Sequence, residues 1–368
     1  MATVEQSLTA LENLLGPRLF SLELGLGSPL ILANRYWIKS IRGRGARGLV
    51  VRASDTNLDR NVALKLYPHN DAAMTAEAKA EAKVLASLRH DNIVLVYDSN
   101  FAELHIDQIR IPCIFIVMEY IEGPHLRSWI ASQSPDALTI LDAFIAAGEG
   151  LAAAHAKGIY HRDVKPANIV IDRQTARMID FGLARQVSDG DTGDARTTQY
   201  GITTGTLAYM APEARRGTSD ARSDLFSFAV SLWESLSGVL PFDPEAGEWR
   251  LGNHDDFFGA ERIPKLLANP LRRAMSHASA ERQGSMRDFL VELRAKRTQM
   301  EPSRLSGFMQ SILTSPMAKQ IRQAVERPAS DLTSSWADRA RMIQERAAAE
   351  ALLAEKRKNT SGTPKGNT

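Results

Sequence analysis

Cysteine is nearly absent: the 368 residues contain one, Cys113. A single thiol excludes an intramolecular disulfide and a Cys-rich metal centre, and it fits a reducing compartment. Cys113 stands in the apolar run 111–118, where a thiol is a small core residue and not a nucleophile. Charge of one sign is equally scarce, with 45 Lys and Arg against 43 Asp and Glu for a net +2. That balance lacks the basic surplus of a nucleic-acid binder, so no nucleic acid is expected as partner. No apolar run approaches the roughly 18 residues of a membrane span, and residues 1–30 lack the pattern of a signal peptide. The expectation is a cytoplasmic protein without a membrane span. Internal repeats are absent, as is a P-loop ending in Gly-Lys-Ser/Thr. The length suits two to three packed units, or one bilobal domain with extensions.

The densest chemistry lies at 160–182. It reads Tyr160-His161-Arg162-Asp163-Val164-Lys165-Pro166-Ala167-Asn168, an apolar run at 169–171, a turn at 173–176, a second apolar run, then Asp180-Phe181-Gly182. A hairpin here brings Asp163, Lys165, Asn168 and Asp180 to one end of two strands. Hard oxygen donors beside a lysine suit Mg²⁺ and a phosphate, because Mg²⁺ keeps coordination positions for substrate oxygens. These residues resemble the H-R-D-x-K-x-x-N and D-F-G motifs of the protein kinases.

Upstream, residues 4–15 carry an apolar stripe at helical spacing, with Gly16-Pro17 as its expected end. Residues 19–32 are apolar but interrupted by Gly25, Gly27 and Pro29. This extension is expected to pack on the next lobe or to engage a partner. From Tyr36 the pattern becomes that of short antiparallel strands. Gly43, Gly45 and Gly48 form a GxGxxG, in which missing side chains let backbone N–H groups approach phosphate oxygens. A strand-like stretch follows it where a dinucleotide-binding motif needs a helix. Val62-Ala63-Leu64-Lys65 resembles the kinase strand V-A-I-K, which implies that Lys65 reaches the α- and β-phosphates. Where the family usually has an aromatic residue at the loop tip, this chain has Arg47.

A helix rich in Ala, Glu and Lys is expected over 72–88. By reach alone, Glu77 or Glu81 could pair with Lys65; counting back from Arg89-His90-Asp91-Asn92-Ile93-Val94, which resembles the family's L-x-H-x-N-I-V, points to Glu81. Strands at 93–97 and 111–120 complete the small sheet. The second resembles the strand entering the kinase hinge. The resemblance makes Met118 the gatekeeper, pairs adenine with the backbone of Glu119 and Ile121, and sandwiches its ring between Val50, Ala63 and Val170.

Beyond Gly123-Pro124 the chain turns helical. Residues 138–158 resemble the helix leading to the catalytic loop, with His155 as a packing histidine. Residues 180–213 resemble an activation segment closing on Ala211-Pro212-Glu213. Within it Thr197, Thr198, Thr203 and Thr204 are candidate phosphorylation sites, with Arg162 as a dock for the phosphate. Asp224 is expected to accept hydrogen bonds from the catalytic-loop backbone and Arg282 to pair with Glu213. Gln283 stands where the family often has Trp. A helix over 335–358 and a disordered end follow; that helix is a candidate partner-binding element.

Taken together, the residues identify a member of the bacterial eukaryotic-like serine/threonine protein kinases. The fold implied is α+β and bilobal, with a small antiparallel-sheet N-lobe and a helical C-lobe. Its expected parts are an N-terminal extension (1–34), an N-lobe (35–121), a C-lobe (122–298) and a tail (299–368). The resemblance implies transfer of the γ-phosphoryl group of ATP to Ser or Thr of protein substrates, with Mg²⁺, or Mn²⁺ in its place. It makes Asp163 the acceptor of the hydroxyl proton, Asn168 and Asp180 the metal ligands, and Lys165 the stabiliser of γ-phosphoryl charge. Two other classes compete with this reading. A pseudokinase scaffold usually lacks a metal or phosphate residue, and a small-molecule kinase of the aminoglycoside type lacks Ala211-Pro212-Glu213.

Overall fold

Strand pairing along the first third of the chain builds a six-stranded antiparallel sheet. Its members are β1 (Ile31–Leu32), β2 (Tyr36–Arg44), β3 (Leu49–Asp55), β4 (Arg60–Pro68), β5 (Val96–Ile106) and β6 (Ile109–Glu119), in the order β1-β2-β3-β4-β6-β5. The structure, a computed structural model, describes residues 4–45, 48–68, 82–83, 85–173, 175–181, 185–186, 207–242 and 257–301. The chain divides into two units, Met1–Glu301 and Pro302–Thr368; the second, including the expected tail helix, lies outside the described residues.

The sheet is covered on both faces, which is why β4 is buried at every position from Val62 to Pro68. Alternation along a strand sends neighbours to opposite sides. Val62, Leu64 and Leu66 join Cys113, Phe115 and Val117 in one core, while Ala63 and Tyr67 join Ile114, Ile116 and Met118 in another. Lys65 lies between, opposite Ile116, on the face that looks into the interlobe cleft. Burial pushes the Cys113 thiol up to about 12, in keeping with its expected role as an inert core residue.

The first of these cores is capped by a helix longer than the sequence pattern indicated. α1 runs Val4–Glu23, through the Gly16-Pro17 pair expected to end it. A proline inside a helix costs about 3 kcal/mol. The continuing stripe outweighs it: Leu8, Leu11, Leu15 and Leu19 are all buried against the sheet, each contributing roughly 1.5–3 kcal/mol. The helix ends instead at Gly25, whose φ of 76° permits a Schellman closure, with Gly25 N donating to Leu22 O (3.0 Å) and Leu26 N to Ser21 O (2.9 Å). Leu15→Ala is therefore expected to cost about 2–5 kcal/mol in urea unfolding; a loss under about 1 kcal/mol would mean that α1 is not part of the core.

β5 and β6 also extend beyond their expected limits, forming one long hairpin that turns at Asp107 and Gln108. The polar stretch 98–100 hid β5, and the hairpin's turn lacks glycine; Asp107 supplies the left-handed conformation instead (φ 54°). Of the helix expected over 72–88, residues 82–83 and 85–87 are helical and Leu88 already lies beyond the helix end; residues 72–81 and 84 lie outside the described residues.

The second lobe is helical: α2 (Leu126–Gln133), α3 (Ala137–His155), α4 (Pro212–Arg215), α5 (Ala221–Ser237), α6 (Lys265–Ala274) and α7 (Met286–Met300). Local chemistry sets their starts. Asp136 accepts from Thr139 N (2.8 Å) at α3, Asp220 and Ser223 form a capping box at α5, and Ser285 accepts from Asp288 N at α7. α3 is the one described helix long and apolar enough to cross a membrane. Here it is a core helix, with Phe144 edge-on to Phe228 at 5.2 Å and Phe228 edge-on to Phe289 at 6.2 Å. Between α3 and α4 run β7 (Ile159–Tyr160), β8 (Ile169–Asp172), β9 (Thr175–Met178) and β10 (Arg185–Gln186). β8 and β9 make the expected hairpin, with a tighter turn than expected because Thr175 and Ala176 already pair with Asp172 and Ile171.

Candidate active site

The loop between β7 and β8 is anchored from below by Asp224 on α5. Its Oδ2 accepts from His161 N (2.7 Å) and His155 Nε2 (2.8 Å), and its Oδ1 accepts from Arg162 N (2.7 Å). Burial pushes this carboxyl up, but the bonds and charges of His155 and His161 and the Arg162 N–H outweigh it, and the group stays below the usual carboxylate range. Arg162 is held at φ 66°, a left-handed conformation costing a non-glycine residue about 1–3 kcal/mol. The two backbone bonds to Asp224 offset that strain and set the direction in which the chain leaves toward Asp163. His155 and His161 are packing histidines: the first bonds Asp224, and the second bonds Ile179 O (3.0 Å) and packs tilted against the Phe181 ring at 4.4 Å.

Asp163 is then fixed from one side. Its Oδ2 takes Lys165 Nζ (2.9 Å) and Asn168 Nδ2 (3.0 Å), and Asn168 Nδ2 also donates to its carbonyl (2.7 Å). Both contacts fall on one carboxylate oxygen, leaving Oδ1 for a substrate proton donor. With Nδ2 of Asn168 committed, the amide oxygen is that side chain's remaining acceptor.

Asp180 reaches the same end of the β8–β9 hairpin with φ 58°, its neighbour Phe181 being buried in the large-lobe core. The hairpin is tied to the small lobe: Asn92 Nδ2 donates to Ala176 O (2.9 Å) and Thr175 Oγ1 (3.2 Å), and Val94 N donates to Met178 O (3.0 Å). Lys65 Nζ lies 2.6 Å from Asp180 Oδ1. Burial pushes the Asp180 carboxyl up, while the Lys65 charge and hydrogen bond, with His161 and Lys165, hold it down; the net shift is downward, so it is ionised at neutral pH.

The glycine-rich hairpin closes over this pair. Gly45 N donates to Gly48 O (2.9 Å), and a Cβ on Gly45 would meet Asp180 Oδ2 at 3.4 Å. At Gly48 a Cβ would lie 3.1 Å from Leu66 O and 3.2 Å from Lys65 Cγ, tighter than ordinary contacts allow. Gly43 pairs with Val50. Val50, Ala63, Met118 and Ile121 meet in one cluster, and Val170 is buried on the large-lobe side. Sequence reasoning missed Arg177, which donates to Glu119 Oε2 (2.6 Å) and lies 3.5 Å from Asp172 Oδ2, tying the hinge to the β8–β9 hairpin. Its position between inward-facing Ala176 and Met178 was the available signal.

Glu81, Arg47 and the four threonines Thr197, Thr198, Thr203 and Thr204 lie outside the described residues. Among the described residues no group of three His, Cys, Asp or Glu side chains could hold a metal ion. The donors present, the Asp180 carboxylate and the Asn168 amide oxygen, fit a cation that completes its shell with substrate oxygens and water.

Farther along, Arg282 forms the expected pair with Glu213, Nη1 to Oε1 at 2.6 Å and Nη2 to Oε2 at 2.9 Å. Gln283 is buried and donates to Pro270 O (3.1 Å) and Glu292 Oε2 (3.0 Å). Tyr209 Oη donates to Glu234 Oε2 (2.6 Å), while Arg127 donates to both, a link no motif announced. Burial and then Glu234 push the Tyr209 phenol up, so it stays protonated and able to donate.

A lysine–aspartate pair beneath a glycine-rich hairpin, facing an Asp-Lys-Asn loop across a hinge, defines the cleft of a bilobal kinase fold. Residues 36–318 match the protein kinase domain family, and the chain belongs to it. Its relatives are bacterial eukaryotic-like serine/threonine kinases. The chain is 30% identical over 325 residues to serine/threonine-protein kinase pkn3 of Myxococcus xanthus, covering 82% of this chain and 57% of that protein. To serine/threonine-protein kinase PknB of Mycolicibacterium smegmatis it is 39% identical over 221 residues, covering 58% of this chain and 34% of that one. It thus spans little more than half, or about a third, of those relatives. Among solved structures, the Mycobacterium tuberculosis PknI kinase domain matches with a TM-score of 0.54 at 26% identity, covering 74% of this chain and 99% of that one.

Proposed function

We propose that this protein is an ATP-dependent serine/threonine protein kinase whose substrates are Ser- or Thr-bearing proteins, with lobes at about 35–121 and 122–298. The observation that carries the reading is the Lys65–Asp180 pair, 2.6 Å apart and separated by 115 positions in the chain. An isolated buried lysine would be costly, and a phosphate-binding cleft gives both members of the pair a use.

In this reading the hydroxyl oxygen of the substrate attacks the γ-phosphorus, the bond to the β-phosphate oxygen breaks, and ADP leaves. Asp163 Oδ1 orients the hydroxyl and accepts its proton. Lys165 stabilises charge on the γ-phosphoryl oxygens. Lys65 exchanges Asp180 for the α- and β-phosphates, with Glu81 as its small-lobe partner. Gly43, Gly45 and Gly48 admit the phosphates to the backbone. Val50, Ala63, Met118 and Val170 enclose adenine, whose edge pairs with the backbone of Glu119 and Ile121. Asn168 and Asp180 hold Mg²⁺ or Mn²⁺. When bound, that cation neutralises phosphate charge and fixes the polyphosphate for in-line transfer.

Phosphorylation of Thr197 or Thr198, with Thr203 and Thr204 as further candidates, is proposed to order the activation segment by pairing with Arg162. The proposed use of ATP and the lone free thiol Cys113 support a cytoplasmic location. The test is incubation of the full chain with γ-labelled ATP and a generic protein substrate, with and without a chelator. Metal-dependent label recovered as phosphoserine or phosphothreonine is expected. Label that is absent with both Mg²⁺ and Mn²⁺, or found only on tyrosine, would overturn the reading.

A further inference from the structure

The proposed mechanism assigns nothing to α1, yet that helix holds the phosphate-binding hairpin by a polar link at Arg44. Arg44 stands between Gly43 and Gly45, at the end of β2 where the glycine-rich loop begins. Its guanidinium reaches α1: Nη1 donates to Glu12 Oε2 (3.2 Å), and Nη2 donates to Thr9 Oγ1 (3.1 Å) and to the Glu5 carbonyl (3.3 Å). Thr9 Oγ1 also donates to that carbonyl (2.8 Å), which fixes the hydroxyl so that its lone pairs face the arginine. Glu5, Thr9 and Glu12 recur at i, i+4 and i+7 and so share one helix face.

The helix that holds Arg44 cannot easily yield. Leu8, Leu11, Leu15 and Leu19 are buried in the core on the sheet's outer face. At the far end, Arg18 pairs with Asp107 in the β5–β6 turn (3.4 Å) and donates to Ser28 O (3.0 Å). Sliding α1 would uncover those leucines and break both ends at once. Arg44 therefore fastens a glycine-rich hairpin, free to bend by composition, to a body fixed by apolar burial. The β2–β3 pairing shifts register between Ile41 and Gly43 and resumes at Gly43–Val50 and Arg44–Leu49, so Arg44 stands on the last ladder pair before the loop, where a fixed guanidinium bears directly on the loop's backbone.

We infer that α1 is a brace for nucleotide binding, with Arg44 as a positioning residue. It acts through the backbone of Gly43 and Gly45 on the polyphosphate of ATP and does not touch the reacting atoms. This inference rests on the kinase reading above. Because the loop contacts the nucleotide in both ground and transition states, the effect falls on nucleotide affinity and not on the transfer step. Arg44 and Glu12 are 32% and 39% exposed, so the effect is roughly two- to fivefold, the range of a half-exposed ion pair.

The test uses the full chain and five proteins: wild type, Glu12→Gln, Arg44→Gln, the double variant and Arg44→Lys. Affinity for a non-hydrolysable ATP analogue with Mg²⁺ is measured by titration calorimetry, and KM for ATP and kcat from initial rates. Each single Gln variant is expected to bind roughly two- to fivefold more weakly, with kcat within about twofold of wild type. The double variant is expected to be no weaker than Arg44→Gln, since the two residues act through one link. Arg44→Lys keeps the charge without the fork and is expected to fall between. Thermal midpoints measured beside these values separate a brace from general loosening, and Thr9→Val repeats the test if Glu12→Gln lowers the midpoint. Wild-type affinity in the Gln variants, additive losses in the double variant, or a fall in kcat at constant KM would each overturn the brace alone. No nucleotide binding by wild type would overturn the kinase reading and the brace with it.

Discussion

Asp163→Asn is expected to lower the rate of phosphoryl transfer by roughly 10²–10⁴-fold while leaving ATP affinity and thermal stability nearly as they were. The direction follows from which oxygen is occupied. Lys165 Nζ and Asn168 Nδ2 both donate to Oδ2 of Asp163. An asparagine at this place must present its single carbonyl oxygen to those two donors, since its amide nitrogen there would set three donors against one another. Its NH₂ group then occupies the position of Oδ1 and faces the substrate hydroxyl. A donor at that point can neither orient the hydroxyl through its proton nor accept it. The fold is not at risk, because the backbone of this loop is held by Asp224 and not by the Asp163 side chain. Initial-rate kinetics, an ATP-binding titration and a melting curve on the same preparation decide the matter. A variant within about tenfold of wild-type rate would remove Asp163 from the proposed role. A variant that failed to bind ATP would instead place it in the nucleotide site.

Much of this site was legible in the sequence, because its chemistry is carried by residues whose types are hard to replace. Asp163, Lys165 and Asn168 sit within six positions and meet through a short loop, so spacing alone foretold their contact. Asp180 could be placed because the β8–β9 hairpin between is apolar and short. Lys65 was legible only through a resemblance, since nothing in residues 60–68 says which strand it will face. The extent of α1 was not legible, and the reason is energetic: Gly16-Pro17 is a strong local stop signal, and the burial that overrides it belongs to a sheet formed by residues 30–117. The β5–β6 hairpin failed for another reason. The first half of β5 carries polar residues at Asp98, Ser99 and Asn100 and is not buried, so strand periodicity is faint there and shows only at buried Leu104 and Ile106. Arg44 drew no expectation from the sequence, because its partners Thr9 and Glu12 lie more than thirty positions away. Long-range polar contacts of this kind leave no periodic trace, and Arg127–Tyr209–Glu234 escaped notice on the same ground.

Arg282→Ala is expected to destabilise the large lobe by about 3–5 kcal/mol. The guanidinium is fully buried, and its fork is filled: both Nη atoms bond Glu213, Nη1 also donates to Arg222 O (3.0 Å), and Nε donates to Ser276 O (2.8 Å). Removing it strands the Glu213 carboxylate, which is mostly buried and would keep only the Ser223 hydroxyl at 2.8 Å and its own backbone N–H. It also takes a donor from three carbonyl oxygens, those of Arg222, Ser276 and His277, and uncovers the face of Phe226, over which the guanidinium carbon lies at 4.9 Å. Arg282→Lys is not a remedy, because one ammonium cannot span two carboxylate oxygens and three carbonyls. The effect has a pH signature. Burial pushes the Glu213 carboxyl up, but the Arg282 hydrogen bond, with Ser223 and the local backbone, outweighs it and the group titrates below its ordinary value. A carboxyl depressed in the folded state contributes stability above its unfolded pKa and loses it as pH falls through the folded one. Without Arg282 the burial contribution prevails and the folded pKa rises above the unfolded value, so protonation relieves the variant. The gap between wild type and Arg282→Ala should therefore be widest near neutral pH and shrink on acidification below the ordinary carboxylate range. Urea unfolding at both pH values measures it; a gap that stayed constant or grew in acid would show that the loss comes from packing around Phe226 and not from the charge pair.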